Sequence, residues 1–136
     1  MNVKQINHIG IAVTSIAENR AFYEGVLGMT FEGEEVVAEQ KVKVAFFRVG
    51  EVRIELLEPT DATSTVAQFI EKRGAGVHHI AYTVADLAGR IAELKAQGVR
   101  MIDESPRRGA HQSQIAFLHP KSSCGILTEI CEPQAH

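Results

Sequence analysis

His8-Ile9-Gly10-Ile11-Ala12-Val13 is the stretch that decides how this chain is read, because it returns as His79-Ile80-Ala81-Tyr82-Thr83-Val84. Each histidine opens a strand followed by a helical pattern that a glycine stops, Gly28 in one case and Gly98 in the other. A second pair follows nearly the same spacing as the histidines. It consists of Glu55, in Val52-Arg53-Ile54-Glu55-Leu56-Leu57, and Glu129, in Ile126-Leu127-Thr128-Glu129-Ile130-Cys131. Duplication therefore supplies two histidines and two glutamates in equivalent places, and a pseudo-twofold axis between the halves would gather all four.

Working outward, Ile6 to Val13 alternates, with His8, Gly10 and Ala12 on one side of a strand and Ile9, Ile11 and Val13 on the other, where the core is expected. Ser15-Ile16-Ala17-Glu18 has the form of a capping box, and Ile16, Phe22, Tyr23, Val26 and Leu27 make an apolar helical stripe up to Gly28. A short strand with a loop is predicted over 29–37 and strands at 41–49 and 52–58, with Gly50-Glu51 as a tight turn. Module one, 4–59, is thus βαβββ. Residues 60–75 form a polar linker with a short helix that docks through Val66, Phe69 and Ile70. Module two, 76–133, repeats the order: a strand from Val77, a helix capped by Asp86 with the stripe Leu87, Ile91 and Leu94, and strands at 99–103, 113–118 and 126–132, with Glu104 to Gln112 as a loop. The fold class predicted is α+β in one domain of 136 residues, two tandem βαβββ modules forming a curled eight-stranded mixed sheet with helices outside.

An apolar content of 45% is enough for a core in a chain of this length. A net charge of −3 argues against a general nucleic-acid or anionic-membrane binder, whose affinity rests on a basic face. No stretch approaches the roughly 20 apolar residues that span a bilayer, and Met1-Asn2-Val3-Lys4-Gln5 lacks a signal-peptide core, so a cytoplasmic protein is expected. Cys124 and Cys131 form no disulfide framework and read as reduced thiols.

Two imidazoles and two carboxylates on one face of a sheet suit a divalent metal held octahedrally, with two positions for water or substrate. Cobalt, manganese, nickel and zinc all fit that donor set. His8, Glu55, His79 and Glu129 each fall opposite apolar neighbours, Ile9, Ile54, Ile80 and Ile130, and a charged group flanked by so much apolar sequence must be paired or bound. The repeat assigns His79, not His78, to the His8 position, and period-two geometry turns His78 away as a structural residue. Cys131 shares the parity of Glu129 and reads as a buried thiol with no role. Arg107, Arg108, His119 and Lys121 concentrate positive charge in module two's loops, suited to a phosphate or carboxylate ligand or to a solvated turn. His111 is a loop histidine, a residue type suited to acid or base work, and reads either as that or as a plain exposed loop side chain.

The paired modules, the four-residue cluster and Phe117-Leu118-His119-Pro120-Lys121 together resemble the vicinal oxygen chelate superfamily over nearly the whole chain. His78-His79-Ile80, the run from Pro106 to Lys121 and Gly125-Ile126-Leu127-Thr128-Glu129 resemble its methylmalonyl-CoA epimerase family. That resemblance implies one divalent metal on His8, Glu55, His79 and Glu129, an acyl-CoA thioester substrate, proton transfer through an enolate with Glu129 as ligand and base, and a homodimer. It also implies CoA phosphates met by Arg107, Arg108, Lys121 or Lys72-Arg73. Some relatives carry a second glutamate base where this chain has Val44; Lys43 beside it points to the other face, so His111 is the expected second acid/base, with a metal-bound water as the other candidate. The Glu55 ligand corresponds to glutamine in some epimerases and to glutamate in glyoxalase I, which shares the scaffold and the enolate chemistry. Glyoxalase I and a metal-dependent sequestering or resistance protein are the alternatives; a ring-cleaving dioxygenase fits less, since its iron usually takes a two-histidine, one-carboxylate face.

Overall fold

The computed structural model describes residues 2–134. Its elements run β1 Gln5–Ala12, α1 Ile16–Arg20, β2 Thr30–Val37, β3 Val42–Val49, β4 Val52–Pro59, α2 Thr65–Arg73, β5 Gly76–Thr83, α3 Leu87–Ala96, β6 Arg107–Arg108, β7 Gln114–Leu118 and β8 Thr128–Glu132. The chain divides into two compact units, one His8–His78 and the other the amino-terminal stretch through Asn7 with the chain from His79 onward. The division cuts through β1 and β5.

In the unit His8–His78 the strand order is β2-β3-β4-β1, with β1 parallel to β4 and the other pairs antiparallel. The register of β2 on β3 shifts between Phe31 and Glu34, a bulge in which Gly33 takes φ of 106°, backbone that a side chain would strain. The core under α1 is Val13, Ile16, Ala45, Phe47 and Leu56, with Ile11, Tyr23 and Ile54 packed against it. Ser15 caps α1 by accepting from Glu18 N, and Glu58 Oε1 accepts from Ile16 N at 2.8 Å. His78 packs edge-to-face on Phe69 of α2, 5.0 Å between ring centres, the structural place expected of it.

In the other unit β5 is parallel to β8, and β8, β7 and β6 follow antiparallel. Leu87, Ile91 and Leu94 of α3 pack on Val84, Ala116, Leu118 and Ile130. Asp86 accepts from Gly89 N, and Glu132 Oε1 accepts from Leu87 N at 3.0 Å. These bonds keep the spacings of the sequence repeat: Asp86 follows Ser15 as His79 follows His8, and Glu132 follows Glu58 as Glu129 follows Glu55. Each tying glutamate joins the start of its module's helix to the last strand of the module, a carboxylate at a helix amino terminus in both cases.

The structure corrects several expectations. The stripe Phe22, Val26 and Leu27 is exposed, at 51%, 74% and 51%, and of α1 only Ile16 is fully buried. The reason is a π-helical turn over Ala21–Val26, closed by Leu27 N donating to Phe22 O at 2.9 Å, which adds a residue to the turn and rotates the 3.6-residue stripe off the core while leaving Tyr23 on Phe47. Residues 99–103 form no strand beyond an isolated bridge from Met101 to Leu118, because Asp103 Oδ2 takes Phe117 N, a donor that a ladder would have used. The strand beside β7 is instead Arg107–Arg108, inside the stretch predicted as loop. The core does lie on the Ile11 and Val13 side of β1 as expected, yet the histidine side is the more closed: His8, Gly10 and Ala12 are buried while Ile9 and Ile11 are half-buried, and β5 repeats this with His79, Ala81 and Thr83.

Candidate metal centre

Strand register explains why each histidine meets a glutamate. In the parallel ladder of β1 and β4, Gly10 lies opposite Glu55; in that of β5 and β8, Ala81 lies opposite Glu129. Each glutamate is therefore on the same face as a histidine two residues earlier on the neighbouring strand, with only a glycine or alanine between. His8 Nδ1 stands 3.3 Å from Glu55 Oε2, and His79 Nε2 stands 3.2 Å from Glu129 Oε1. All four side chains, His8, Glu55, His79 and Glu129, are buried, at 7%, 3%, 4% and 3% exposure.

Each glutamate also faces a phenylalanine across an antiparallel pair, Phe46 for Glu55 and Phe117 for Glu129. Phe117 follows Phe46 at the spacing of the two histidines, so the offset that located the histidines would have found them. Phe117 stands edge-on to the His79 ring at 5.3 Å, fixing its plane. Such walls remove water, and a carboxylate in so apolar a place is tolerated only against a positive partner. His8 with Glu55 in one unit, and His79 with Glu129 in the other, are nitrogen and oxygen donors of the kind that suits a divalent transition metal.

One partner went unread in the sequence. Arg53, two residues before Glu55 and on the same face, lies opposite His8 in the ladder and brings Nε to 3.5 Å from Glu55 Oε2. The corresponding residue beside Glu129 is Leu127. The parity of Arg53 with Glu55 was the available signal.

The remaining predicted residues lie as follows. Val44 is buried, opposite Glu35 on β2 and Leu57 on β4, while Lys43 points to the other face and pairs with Glu34 at 3.2 Å. Arg107 is held by Asp103, 3.1 Å from Nε to Oδ1, with its guanidinium 5.7 Å from the Phe117 ring centre, so its charge is already met. Arg108 and Lys121 are exposed. His119 is half-buried and accepts from Lys121 N through Nδ1; burial first, then the Arg100 and Lys121 cations, hold it below the usual imidazole range, consistent with a neutral acceptor. His111 is exposed on a left-handed backbone, φ 55°, followed by Gln112 at 58°. Cys131 is buried beside Ile115 and Phe117. No helix among the described residues is long and apolar enough to cross a membrane.

The chain is similar to several known proteins. YqjC, an uncharacterized protein of Bacillus subtilis, is 48% identical over 97% of this chain and 94% of its own length. The mitochondrial methylmalonyl-CoA epimerase of Homo sapiens is 35% identical over 95% of this chain and 74% of its own. A Streptomyces coelicolor methylmalonyl-CoA epimerase in complex with 2-nitronate-propionyl-CoA superposes with a TM-score of 0.94 at 38% identity, covering 98% of this chain and 97% of that one. Residues 7–117 match the model of the Glyoxalase/Bleomycin resistance protein/Dioxygenase superfamily. The chain belongs to that superfamily, and within it to the methylmalonyl-CoA epimerase family.

Proposed function

We propose that this protein interconverts (2R)- and (2S)-methylmalonyl-CoA by moving the α-proton, with His8, Glu55, His79 and Glu129 holding one divalent metal. The observation that carries the reading is the matched pair of buried imidazole–carboxylate contacts, at 3.3 and 3.2 Å, in a chain whose likeness to epimerases runs over 95–98% of its length. A divalent ion there supplies Lewis-acid polarisation of the thioester carbonyl, which acidifies the α-carbon. The protein's own groups do the rest. Glu129, buried opposite Phe117, removes the proton from one face. His111 returns a proton on the other face, since Val44 has no proton to give. Arg108, His119 and Lys121 meet the phosphates of coenzyme A, together with any share Arg107 can spare from Asp103.

The ligand of the Streptomyces relative is a CoA derivative, 2-nitronate-propionyl-CoA, and this CoA portion, not the enolate chemistry shared with glyoxalase I, favours the epimerase reading. The same reading includes a homodimer in the cytoplasm. Its test is proton exchange: metal-loaded protein with (2S)-methylmalonyl-CoA in deuterated water, followed by NMR. Deuterium is expected at the α-carbon together with inversion. His111→Ala should retain exchange at one face while losing inversion; unchanged inversion in that variant removes His111, and absence of exchange in the native protein removes the reading altogether.

A further inference from the structure

Row by row across β3, β4 and β1, the ligand-bearing face of the unit His8–His78 carries Arg48, Arg53 and His8, then Phe46, Glu55 and Gly10, then Val44, Leu57 and Ala12. Arg53 thus adjoins both metal-ligating residues of its module. Its Nε is closed to solvent and makes no hydrogen bond, the nearest carboxylate oxygen being Glu55 Oε2 at 3.5 Å, and 21% of the side chain stays accessible. That oxygen is already close to His8. The neighbouring Arg48 is committed differently, with Nε on Glu32 at 2.8 Å. A guanidinium presents five donors in a fixed fork and binds carboxylates best at about 2.7–2.9 Å, so the loose approach to Glu55 leaves Arg53 poorly satisfied. Phe46, 5.8 Å from the guanidinium carbon, limits the water that could satisfy it instead. The fold does not require a cation here, because Leu127 fills the equivalent place beside Glu129.

We propose that Arg53 is the specificity residue that recognises the free carboxylate of the substrate. This rests on the acyl-thioester reading above and deepens it: the Arg53 fork takes the substrate's free carboxylate, beside the ion that His8, Glu55, His79 and Glu129 would hold. An acyl-CoA without that carboxylate leaves the guanidinium unmet and is selected against.

Calorimetric binding of malonyl-CoA and propionyl-CoA to the metal-loaded native protein, Arg53→Leu and Arg53→Gln tests it, with metal content measured on each. The native protein is expected to prefer malonyl-CoA. Both variants should keep their metal and their propionyl-CoA affinity, while the preference for malonyl-CoA falls by about 10- to 100-fold. With methylmalonyl-CoA, KM should rise more than kcat falls. An unchanged preference in either folded variant overturns the proposal, and so does loss of metal, which would mean that Arg53 acts by holding Glu55. A native protein that prefers malonyl-CoA but exchanges no α-proton sinks the epimerase reading and leaves Arg53 standing; one without the preference sinks Arg53 alone.

Discussion

The two modules carry the same devices with different neighbours. Both set a buried histidine 3.2–3.3 Å from a buried glutamate, face that glutamate with a phenylalanine, and tie a helix start with a second glutamate a little further along the same strand. They part at three equivalent places: Arg53 against Leu127 beside the ligand glutamate, Arg48 against His119 at the end of the middle strand, and Glu35 against Arg107 on the edge strand. What repeats is what the scaffold needs to hold two donor pairs. What differs is the chemistry set beside each glutamate, an arginine in one module and a leucine in the other. On the roles proposed above, Glu129 is ligand and base and Glu55 a ligand only.

The largest effect should come from what the modules share. His8→Ala and His79→Ala are each expected to weaken metal binding by more than the roughly 100-fold that loss of an outer partner costs, and to end turnover with it. Metal analysis and the exchange assay on both variants check this. If one variant kept its metal, the two pairs would not be equivalent donors and the comparison would break at its base.

Next comes the difference. Glu129→Gln should lower kcat by about 10²- to 10⁴-fold while keeping part of the metal, whereas Glu55→Gln, which swaps one oxygen ligand for another, should cost far less. Equal losses would make the glutamates interchangeable and leave Arg53 and Leu127 without consequence for proton transfer.

Much of this was legible because duplication writes itself in fixed offsets. The pairing of His8 with His79 and of Glu55 with Glu129 came from spacing alone, and the α3 stripe Leu87, Ile91 and Leu94 is buried as its periodicity predicts. The α1 stripe failed since a π turn breaks the periodicity on which such a prediction stands, and nothing in Ala21-Phe22-Tyr23-Glu24-Gly25-Val26 announces it. Residues 99–103 misled for another reason: Val99 and Met101 do pack on the core, yet a side chain, Asp103, replaces the backbone bond that would have made a strand. Arg53 was passed over because a lone arginine on a strand reads as solvated until the register sets it opposite His8.

The smallest effect concerns the helix ties. Glu58 and Glu132 each accept a backbone N–H that the first helical turn would otherwise leave unpaired, so Glu58→Ala and Glu132→Ala should each cost about 1–2 kcal/mol in urea unfolding. The local consequences should differ. α3 keeps its Asp86 cap and three buried side chains, so its amides should stay protected in hydrogen exchange when Glu132 is lost. α1 has five residues, one buried, and runs straight into the π turn, so loss of Glu58 should release its amides and those of Ala21–Val26 together. Equal protection in both variants would mean that the core under α1, Ile16 and Tyr23 against Phe47, holds that segment without the carboxylate, and that the duplicated tie is needed in neither of its two copies.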